Sequence, residues 1–597
     1  TLFTFAFLPL PPYPNKCLAD VLPLLSFLPF ACMLHAHTEV YELTKQLKHN
    51  SSTATMKHSH IGEAAIKELE ANHSEYKDEL WASTTGKVVG EIQHSPKGMW
   101  DQLNDLDNGH TDWFPEVYSD LLAKTEVFCD FISLSPPEGM FLEKIKASIA
   151  VLAEKSEKSG NKIVVRFLFG SIIALPVNCT AVLEEFTEGL SSDTNLEIWV
   201  GAWRKDMCWN HAKIVAVDGK HVHTGGHNLW DDVYLQKDPI HDTSIELEGP
   251  VAIQAHLYCN GQWEYIREQQ STVKGWIVDK ISDGFLLPIR SRVIVSEWPK
   301  ASTLKRLAGK GTPTYPPVFN TDIIPTAGDN ECGADEVKML ALGRYGKIRG
   351  NDDRSADDAI IAMFDASQDS IRLLLQDLGP VNKTVMGKKM VYKSWPKHYM
   401  KAWARAIFVR GVDVEIILSN PGAGEERGNY SNGWSCEEVA AEIIKTMSEE
   451  FPEATEEQMK KKVVENLRIC FLKNKKGAAW ETGSKVGLHS KFFIVDDVST
   501  YVGSQNLYEF DLAEWGVVID DKPTTTQMMQ DLWNPAWKHS YLDGSDCDAE
   551  KVMSILGVDR GPNVSLDKDD VAAIEADIDV QSLAHVQQIQ KAKFYHH

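Results

Sequence analysis

Two stretches of the chain carry the same reactive side chains at the same spacing. The first reads WNHAKIVAVDGKHVHTGGHNLW and contains His211; the second reads GLHSKFFIVDDVSTYVGSQNLY and contains His489. After each histidine, a lysine follows at +2, an aspartate at +7, a glycine at +14 and an asparagine at +17. Two copies without insertion, 278 residues apart, indicate an internal duplication rather than chance.

Each copy combines an imidazole, an ammonium and a carboxamide, which together suit a phosphoryl group. The lysine supplies positive charge for an anionic tetrahedral group, and the asparagine supplies hydrogen-bond donors. A histidine can serve as nucleophile or as general acid. Two half-sites that face each other place a histidine on either side of one phosphorus, which is the geometry of in-line displacement. The residues of this predicted site are His211, Lys213, Asn228, His489, Lys491 and Asn506.

A hairpin is predicted to position these side chains in each copy. On a strand, His211 and Lys213 are two residues apart and share a face. The apolar run 214–217 predicts a buried strand, and Asp218 followed by Gly219 predicts a tight turn. Glycine after the returning strand lets the backbone bend and bring the asparagine back to the same face. We therefore interpret a further set of motif residues as structural: Asp218, Gly225, Gly226, Asp496, Gly503 and Ser504.

Helices and strands are predicted to alternate in the same order in both halves, which favours an α/β fold built from two homologous lobes. The N-terminal segment 61–81 is predicted to be helical. Further helices are predicted at 141–157, 181–190, 249–267, 357–367, 395–410 and 436–447. Strands are predicted at 162–169, 196–200, 370–375, 412–418 and 467–472.

Composition shifts predict how the chain is divided. A stretch rich in Pro, Gly and Thr at 310–329 is typical of a linker, and the sequence beyond 544 is acidic. The predicted order is a leader (1–36), an N-terminal helical segment (37–80), a first lobe (81–309), the linker (310–329), a second lobe (330–543) and the tail (544–597).

The repeated pattern resembles the HKD motif of the phospholipase D superfamily, and more narrowly that of secreted bacterial-type phospholipase D enzymes. The segments HDTSIELEGPVA, PGAGEERGNYS and WNPAWKHS carry the resemblance further, and it runs from about Leu80 to Tyr541. It implies two homologous α/β-sandwich lobes, packed as a pseudo-dimer with one shared active site.

The resemblance also implies a role for each site residue. His211 corresponds to the histidine that attacks phosphorus and forms a phosphohistidine; His489 corresponds to the one that protonates the leaving alcohol and then activates water. Lys213, Lys491, Asn228 and Asn506 correspond to a phosphate clamp.

The resemblance further implies a carboxylate behind each histidine, which fixes its tautomer. Asp242 stands 31 residues after His211, and Glu514 stands 25 residues after His489, so each is expected to pair with the histidine of its own half. Relatives have an aspartate where this chain has Glu514.

Charge and composition reduce the number of functions that this chain could have. The formal net charge of −24 disfavours non-specific nucleic-acid binding, which depends on clustered Lys and Arg. Lys and Asn take the electrostatic role that a metal has in other phosphodiesterases, so no metal or other cofactor is expected. The ten cysteines contain no CxxC pair and fit either free thiols or long-range disulfides.

The leading hypothesis is a monomeric phospholipase D that hydrolyses the distal phosphodiester bond of phosphatidylcholine-type lipids at a membrane or micelle surface. A primary alcohol in place of water predicts transphosphatidylation. One alternative is a nuclease or other non-lipid phosphodiesterase of the same superfamily. Another is a non-catalytic binding protein that keeps the fold.

The apolar run from Leu18 to Leu34 predicts a secretory signal. It follows Lys16 and ends near Ala36, and it is short for a membrane span, which needs about 20 apolar residues. A secreted protein without a stable transmembrane anchor is therefore expected, with membrane association as the alternative.

Two features near the motifs have more than one interpretation. Cys208, three residues before His211, is expected to be a packed thiol rather than an oxidation-sensitive one. Several aromatic residues could form a choline-binding rim through cation–π contact or could belong to the core: Trp203, Trp209, Trp230, Tyr430, Trp434, Trp480 and Tyr508.

Overall fold

The computed structural model describes residues 57–100, 113–172, 177–191, 194–206, 208–270, 291–298, 315–323, 335–349, 353–385, 388–392, 394–424, 434–541 and 552. By its contacts the chain separates into residues 1–57 and 58–597, and the helices and strands given below all belong to the second unit. The predicted leader, much of the linker and nearly all of the acidic tail lie outside the described residues. The predicted domain boundaries therefore stay predictions.

The first half of this unit begins with a helix and a strand and continues with alternating elements. The helices are α1 (His60–Asn72), α2 (Trp113–Ala123), α3 (Gly139–Ser159), α4 (Cys179–Phe186), α5 (Asp231–Tyr234) and α6 (Val251–Gln270). The strands are β1 (Trp81–Val88), β2 (Gln93–Ser95), β3 (Phe128–Ser133), β4 (Ile163–Gly170), β5 (Leu196–Lys205), β6 (Cys208–Trp209), β7 (Ile214–Val217), β8 (His221–Gly225), β9 (Asp242–Glu248) and β10 (Ser291–Trp298).

The second half repeats this alternation. Its helices are α7 (Ser355–Ala366), α8 (Lys397–Arg405), α9 (Cys436–Glu450), α10 (Glu456–Asn466), α11 (Lys522–Met528) and α12 (Asn534–Ser540). Its strands are β11 (Val337–Arg344), β12 (Ser370–Leu375), β13 (Val381–Val385), β14 (Lys388–Tyr392), β15 (Asp413–Leu418), β16 (Leu467–Phe471), β17 (Lys491–Val495), β18 (Ser499–Gly503) and β19 (Glu514–Asp520). A π-helical turn, Ala406–Arg410, continues α8, and another, Met529–Trp533, joins α11 to α12.

The two halves build sheets with the same strand order. In the first sheet the order β9–β8–β7–β3–β4–β5 has β3, β4 and β5 parallel and the hairpin strands antiparallel. In the second sheet β19–β18–β17–β12–β15–β16 repeats the same directions. Strand β1 pairs with β11 through residues 81–86 and with β9 through residues 87–88. The α/β fold is thus confirmed, with duplicated strand order.

Burial explains why these segments become strands and helices. Every residue of β4 and β12 except Arg372 is buried, as expected for parallel strands covered on both faces. One apolar cluster includes Ile214 and Val222 from the first hairpin and Phe492 and Val502 from the second. Two more clusters lie beneath the helices of the respective halves. The motif hairpins therefore lie at the centre of this unit, between two helix-covered layers.

The N-terminal segment differs from its prediction. The predicted helix over 61–81 ends at Asn72, because Trp81 begins a strand and donates its indole N–H to the carbonyl of His73 at 2.7 Å. His58, just before this helix, is half-buried, and its Nδ1 lies 2.8 Å from a carboxylate oxygen of Asp520.

Two further observations concern the described residues. None of the described helices combines the length and the apolar character needed to cross a membrane. Six cysteines are buried and free: Cys129, Cys179, Cys208, Cys259, Cys436 and Cys470.

Candidate active site

Both predicted hairpins form, and the motif aspartates anchor their turns. Asp218 and Asp496 adopt positive φ angles of 53°, as tight hairpin turns require. The carboxylate of Asp218 accepts the backbone N–H groups of residues 126–128 at 2.8–2.9 Å, where β3 begins. Asp496 does the same for residues 368–370, at 2.8–3.1 Å, where β12 begins. Each aspartate thus fastens its hairpin to the neighbouring parallel strand, away from the reacting groups.

The backbone of each half holds the histidine of the other half. The N–H of His211 donates to the carbonyl of Ala513 at 2.8 Å, and the N–H of His489 donates to the carbonyl of His241 at 2.7 Å. The residues that follow these acceptors are Glu514 and Asp242. Each carboxylate therefore lies next to the histidine of the opposite half.

The predicted pairing of carboxylates with histidines is accordingly wrong. Asp242 Oδ2 lies 2.7 Å from Nδ1 of His489 and is hydrogen-bonded to it. Glu514 Oε1 lies 3.0 Å from Nδ1 of His211, but neither atom has a hydrogen bond among the described residues. The second contact is therefore a close approach and not a hydrogen bond. Distance along the chain could not reveal the exchange, since it arises from the packing of two lobes.

The lysines and asparagines lie beside the histidines. The ammonium of Lys213 donates to the carbonyl of His211 at 2.7 Å. The ammonium of Lys491 donates to the carbonyl of His489 and to the side-chain oxygen of Gln376, the latter at 2.9 Å.

The two asparagines differ in their contacts. Asn506 donates to the hydroxyl of Tyr508 at 2.9 Å. The side-chain oxygen of Asn228 is buried without a partner in the described structure.

One cavity of about 240 Å³ brings the two motifs together. His211, Asn228, His489 and Gln376 line it, and the rest of the lining is apolar or aromatic: Leu134, Ile172, Trp209, Trp230, Tyr508, Phe510 and Leu512. The two histidines thus open onto a single space.

The aromatic residues singled out in the sequence divide between rim and core. Trp209, Trp230 and Tyr508 line the cavity. Trp203 and Trp480 are buried, and Trp434 packs against Trp395. Tyr430 lies outside the described residues.

Burial and neighbouring charge favour the neutral forms of the two histidines. Burial, reinforced by Lys491, lowers the pKa of His489 to about 4. Burial, then Lys213, Lys491 and His489, lower the pKa of His211 well below its usual value. These shifts favour imidazoles with a free lone pair.

Burial also lowers the pKa values of the two lysines. Burial lowers the pKa of Lys491 to about 8, while Asp242 and Glu514 oppose the shift. Burial and Lys491 lower the pKa of Lys213 well below its usual value. An anionic ligand between the two ammonium groups would relieve their repulsion and restore their charge.

The pKa values of the two carboxylates, Asp242 and Glu514, shift in opposite directions. Burial alone would raise the pKa of Asp242, but His489, His227 and Lys491 together hold it well below its usual value. Burial raises the pKa of Glu514 to about 7, although Arg344 and Lys213 oppose the rise. Asp242 is therefore ionised at neutral pH, whereas Glu514 is divided between its two forms.

A steric contact explains one glycine of the motif. A Cβ on Gly226 would collide with the carboxylate of Asp242. The equivalent residue in the second half is Ser504, whose hydroxyl accepts the N–H of Trp515 at 3.1 Å. Both residues also donate their backbone N–H to the residue after the carboxylate, Thr243 in one half and Trp515 in the other.

Three residues at the site were not identified from sequence. The hydroxyl of Tyr234 donates to Asp242 at 2.9 Å and accepts the N–H of Asn228 at 3.2 Å. Arg344 donates to Glu514 at 2.7 Å. Gln376 follows the end of β12, and the carboxyl ends of parallel strands often carry site residues, so its position was a usable signal.

Cys208 is a packed thiol in the structure. It is buried, and burial raises the pKa of its thiol to about 12. Its sulfur accepts the N–H of Lys347 at 3.3 Å. Across the described residues, no group of three or more His, Cys, Asp or Glu side chains is arranged to hold a metal ion.

Comparison with known proteins adds a curated relative. No family model matches the chain. It is 24% identical over 480 residues to the phospholipase D of Streptomyces antibioticus, in an alignment that covers 76% of this chain and 82% of that protein.

Two solved structures show weaker likeness. Phosphatidylserine synthase from Haemophilus influenzae is 12% identical, with 87% of this chain and 100% of that chain covered and a TM-score of 0.42. Nuc, a phospholipase D family member from Salmonella typhimurium, is 18% identical, with 34% and 97% covered and a TM-score of 0.20. Because both scores are low, the strand order and contacts described above define the fold.

Proposed function

We propose that this chain, as a phosphodiesterase of the phospholipase D superfamily, hydrolyses the distal phosphodiester bond of glycerophospholipids such as phosphatidylcholine. The products are phosphatidate and the free alcohol. One observation carries the proposal: both motif histidines open onto a single cavity whose remaining lining is largely apolar and aromatic. Such a lining suits a lipid phosphodiester better than a nucleic-acid backbone, and the net charge of −24 favours the same choice.

The first step transfers the phosphatidyl group to His211. Its Nε2 lone pair attacks phosphorus and forms a P–N bond, while the bond from phosphorus to the head-group oxygen breaks. His489 donates a proton to that oxygen, so the alcohol leaves neutral. Assignment of the two roles follows the superfamily resemblance of the motifs.

The second step returns the enzyme to its starting state. His489, now neutral, takes a proton from water, whose oxygen attacks phosphorus. The P–N bond breaks, and phosphatidate leaves with His211 restored. Ethanol in place of water gives phosphatidylethanol by the same bond changes.

Substrate charge makes the general acid possible. Burial and then the two lysines hold the pKa of His489 at about 4, too low for a proton donor at neutral pH. A phosphodiester anion beside Lys213 and Lys491 offsets their charge and raises that pKa. The proton is thus acquired when substrate binds.

A mixed-lipid incubation tests the proposal. The enzyme is incubated with vesicles of mixed phospholipids and ethanol, and phosphatidate and phosphatidylethanol are measured by mass spectrometry, with His211→Ala as the matched control. We expect both products from the wild type and neither from the variant. Loss of single-stranded DNA in a parallel arm, without either lipid product, would instead identify a nuclease.

The cellular setting is also a proposal. We propose a monomeric, secreted enzyme that acts on lipid at a membrane or micelle surface. The apolar run before Ala36 supports secretion. Detection of the chain in culture medium, with its N-terminus determined, tests this proposal.

A further inference from the structure

The two carboxylates behind the histidines face different residues on their neighbouring strands. Asp242 on β9 lies directly across from Ser95 on β2. Glu514 on β19 lies directly across from Arg344 on β11. Equivalent positions of the two sheets therefore hold a small hydroxyl in one case and a cation in the other.

Arg344 joins two buried carboxylates. One terminal nitrogen of its guanidinium donates to Glu514 Oε2 at 2.7 Å, and the other donates to both oxygens of Asp357, at 2.9 and 3.0 Å. Asp357 also accepts the hydroxyl of Tyr399 at 2.5 Å and the amide of Gln505 at 3.3 Å. The guanidinium is thereby fixed in position, and it does not line the substrate cavity.

We infer that Arg344 is a positioning residue for His211: it holds the carboxylate of Glu514 beside the imidazole and favours its ionised form, while Asp357 competes for the charge of the arginine. The inference rests on the proposed function, in which His211 is the nucleophile. A phosphohistidine carries positive charge on its ring, and an ionised Glu514 stabilises that charge. A protonated Glu514 does not.

Charged and titratable groups approach Glu514 from several elements. They are Arg344 on β11, Asp357 on α7, Tyr258 on α6, Tyr501 on β18, Lys491 on β17, and Lys213 and His211 before β7. Arg344 and Asp357 act in opposite senses, since the arginine opposes the raised pKa of Glu514 and the aspartate adds to it. Removal of one or the other therefore predicts opposite effects.

The test is the pH profile of kcat/KM for wild type and three variants. Each is measured with phosphatidylcholine vesicles and with the soluble diester bis(p-nitrophenyl) phosphate. In Arg344→Met, the acid limb should move to higher pH by about one to three pH units, because Glu514 loses its nearest cation. In Asp357→Asn, the limb should move to lower pH. Arg344→Lys should restore the wild-type limb, and KM on the plateau should stay unchanged throughout.

Arg166→Met is the matched control for loss of a buried arginine. Arg166 pairs with Asp130 at 2.7 Å and does not contact the cavity or Glu514, so its loss should lower stability without moving the limb. If Arg344→Met does not fold, Asp357→Asn and Arg344→Lys still decide the matter. An acid limb that stays in place in Arg344→Met or in Asp357→Asn, or limbs that move in the same direction in these two variants, overturn the inference. Hydrolysis of the soluble diester without hydrolysis of lipid overturns the lipid substrate alone.

Discussion

The two halves of this protein share their backbone and differ in their electrostatics. Both have the same strand order, the same hairpin and the same aspartate at the turn. Yet Asp242 is supported by neutral donors, the hydroxyl of Tyr234 and the N–H of Thr243, whereas Glu514 is supported by the cation Arg344. The duplicated backbone fixes the positions of these groups. Differences between the halves at single neighbouring residues determine the charge next to each histidine.

The lysines show the same divergence. Lys491 is hydrogen-bonded to Gln376, which follows β12. The equivalent residue after β3 is Leu134, so Lys213 has no such side-chain partner there. At this position the second half of the cavity is therefore more polar than the first, which is consistent with the unequal roles proposed for the two histidines.

The largest expected effect separates those roles. His211→Ala and His489→Ala should each lower turnover by about 10⁴-fold or more, since nucleophile and general acid act as a unit. Only His489→Ala should still accumulate a covalent phosphatidyl adduct, because its nucleophile remains. Mass spectrometry of the quenched protein checks this; an adduct on the His211→Ala protein would reverse the two assignments.

The supporting carboxylates should differ in importance. Asp242→Asn should lower kcat at neutral pH by about 10²–10⁴-fold, because an ionised partner that fixes the tautomer of His489 is lost. Glu514→Gln should cost about tenfold or less there, because a carboxyl with a pKa of about 7 is only about half ionised. Equal losses in the two variants, measured with the same substrate, would show that the electrostatic difference has no catalytic consequence.

Exchange of Gln376 and Leu134 tests the polarity difference directly. Gln376→Leu should lower kcat/KM by about tenfold, as expected for loss of one hydrogen bond to a charged group. Leu134→Gln should have a smaller effect, because it removes no hydrogen bond from Lys213, which keeps its bond to the carbonyl of His211. Circular dichroism of both variants serves as the folding control, and a larger loss from Leu134→Gln would contradict the comparison.

The smallest effect on activity should come from the turn aspartates. Asp218→Ala and Asp496→Ala each remove three or more hydrogen bonds from backbone N–H groups to a carboxylate, and each should lower the free energy of unfolding by about 2–4 kcal/mol. Denaturant unfolding measures the loss. Below the unfolding temperature, kcat should stay close to that of the wild type. A selective loss of kcat would mean that these aspartates act in the chemistry.

Local patterns predicted most of the regular elements. The strands at 370–375 and 412–418 and the helices at 141–157 and 249–267 lie within three residues of those observed. Local helix propensity gave a wrong prediction where strand pairing with a distant part of the chain determined the structure. The segment 61–81 is polar and favours helix throughout, but Trp81–Gly86 pairs with β11 from the other half of the chain.

Sequence alone determined the reactive set. Identical spacing placed His211, Lys213 and Asn228 on one hairpin and their counterparts on another, because hairpin geometry is local. Tertiary structure alone decided which carboxylate serves which histidine, since the N–H of His489 donates to the carbonyl of His241, next to Asp242, and the N–H of His211 donates to the carbonyl of Ala513, next to Glu514. It also decided the support of Glu514, because Arg344 becomes its neighbour only through the pairing of β11 with β19, strands that 169 residues of chain separate.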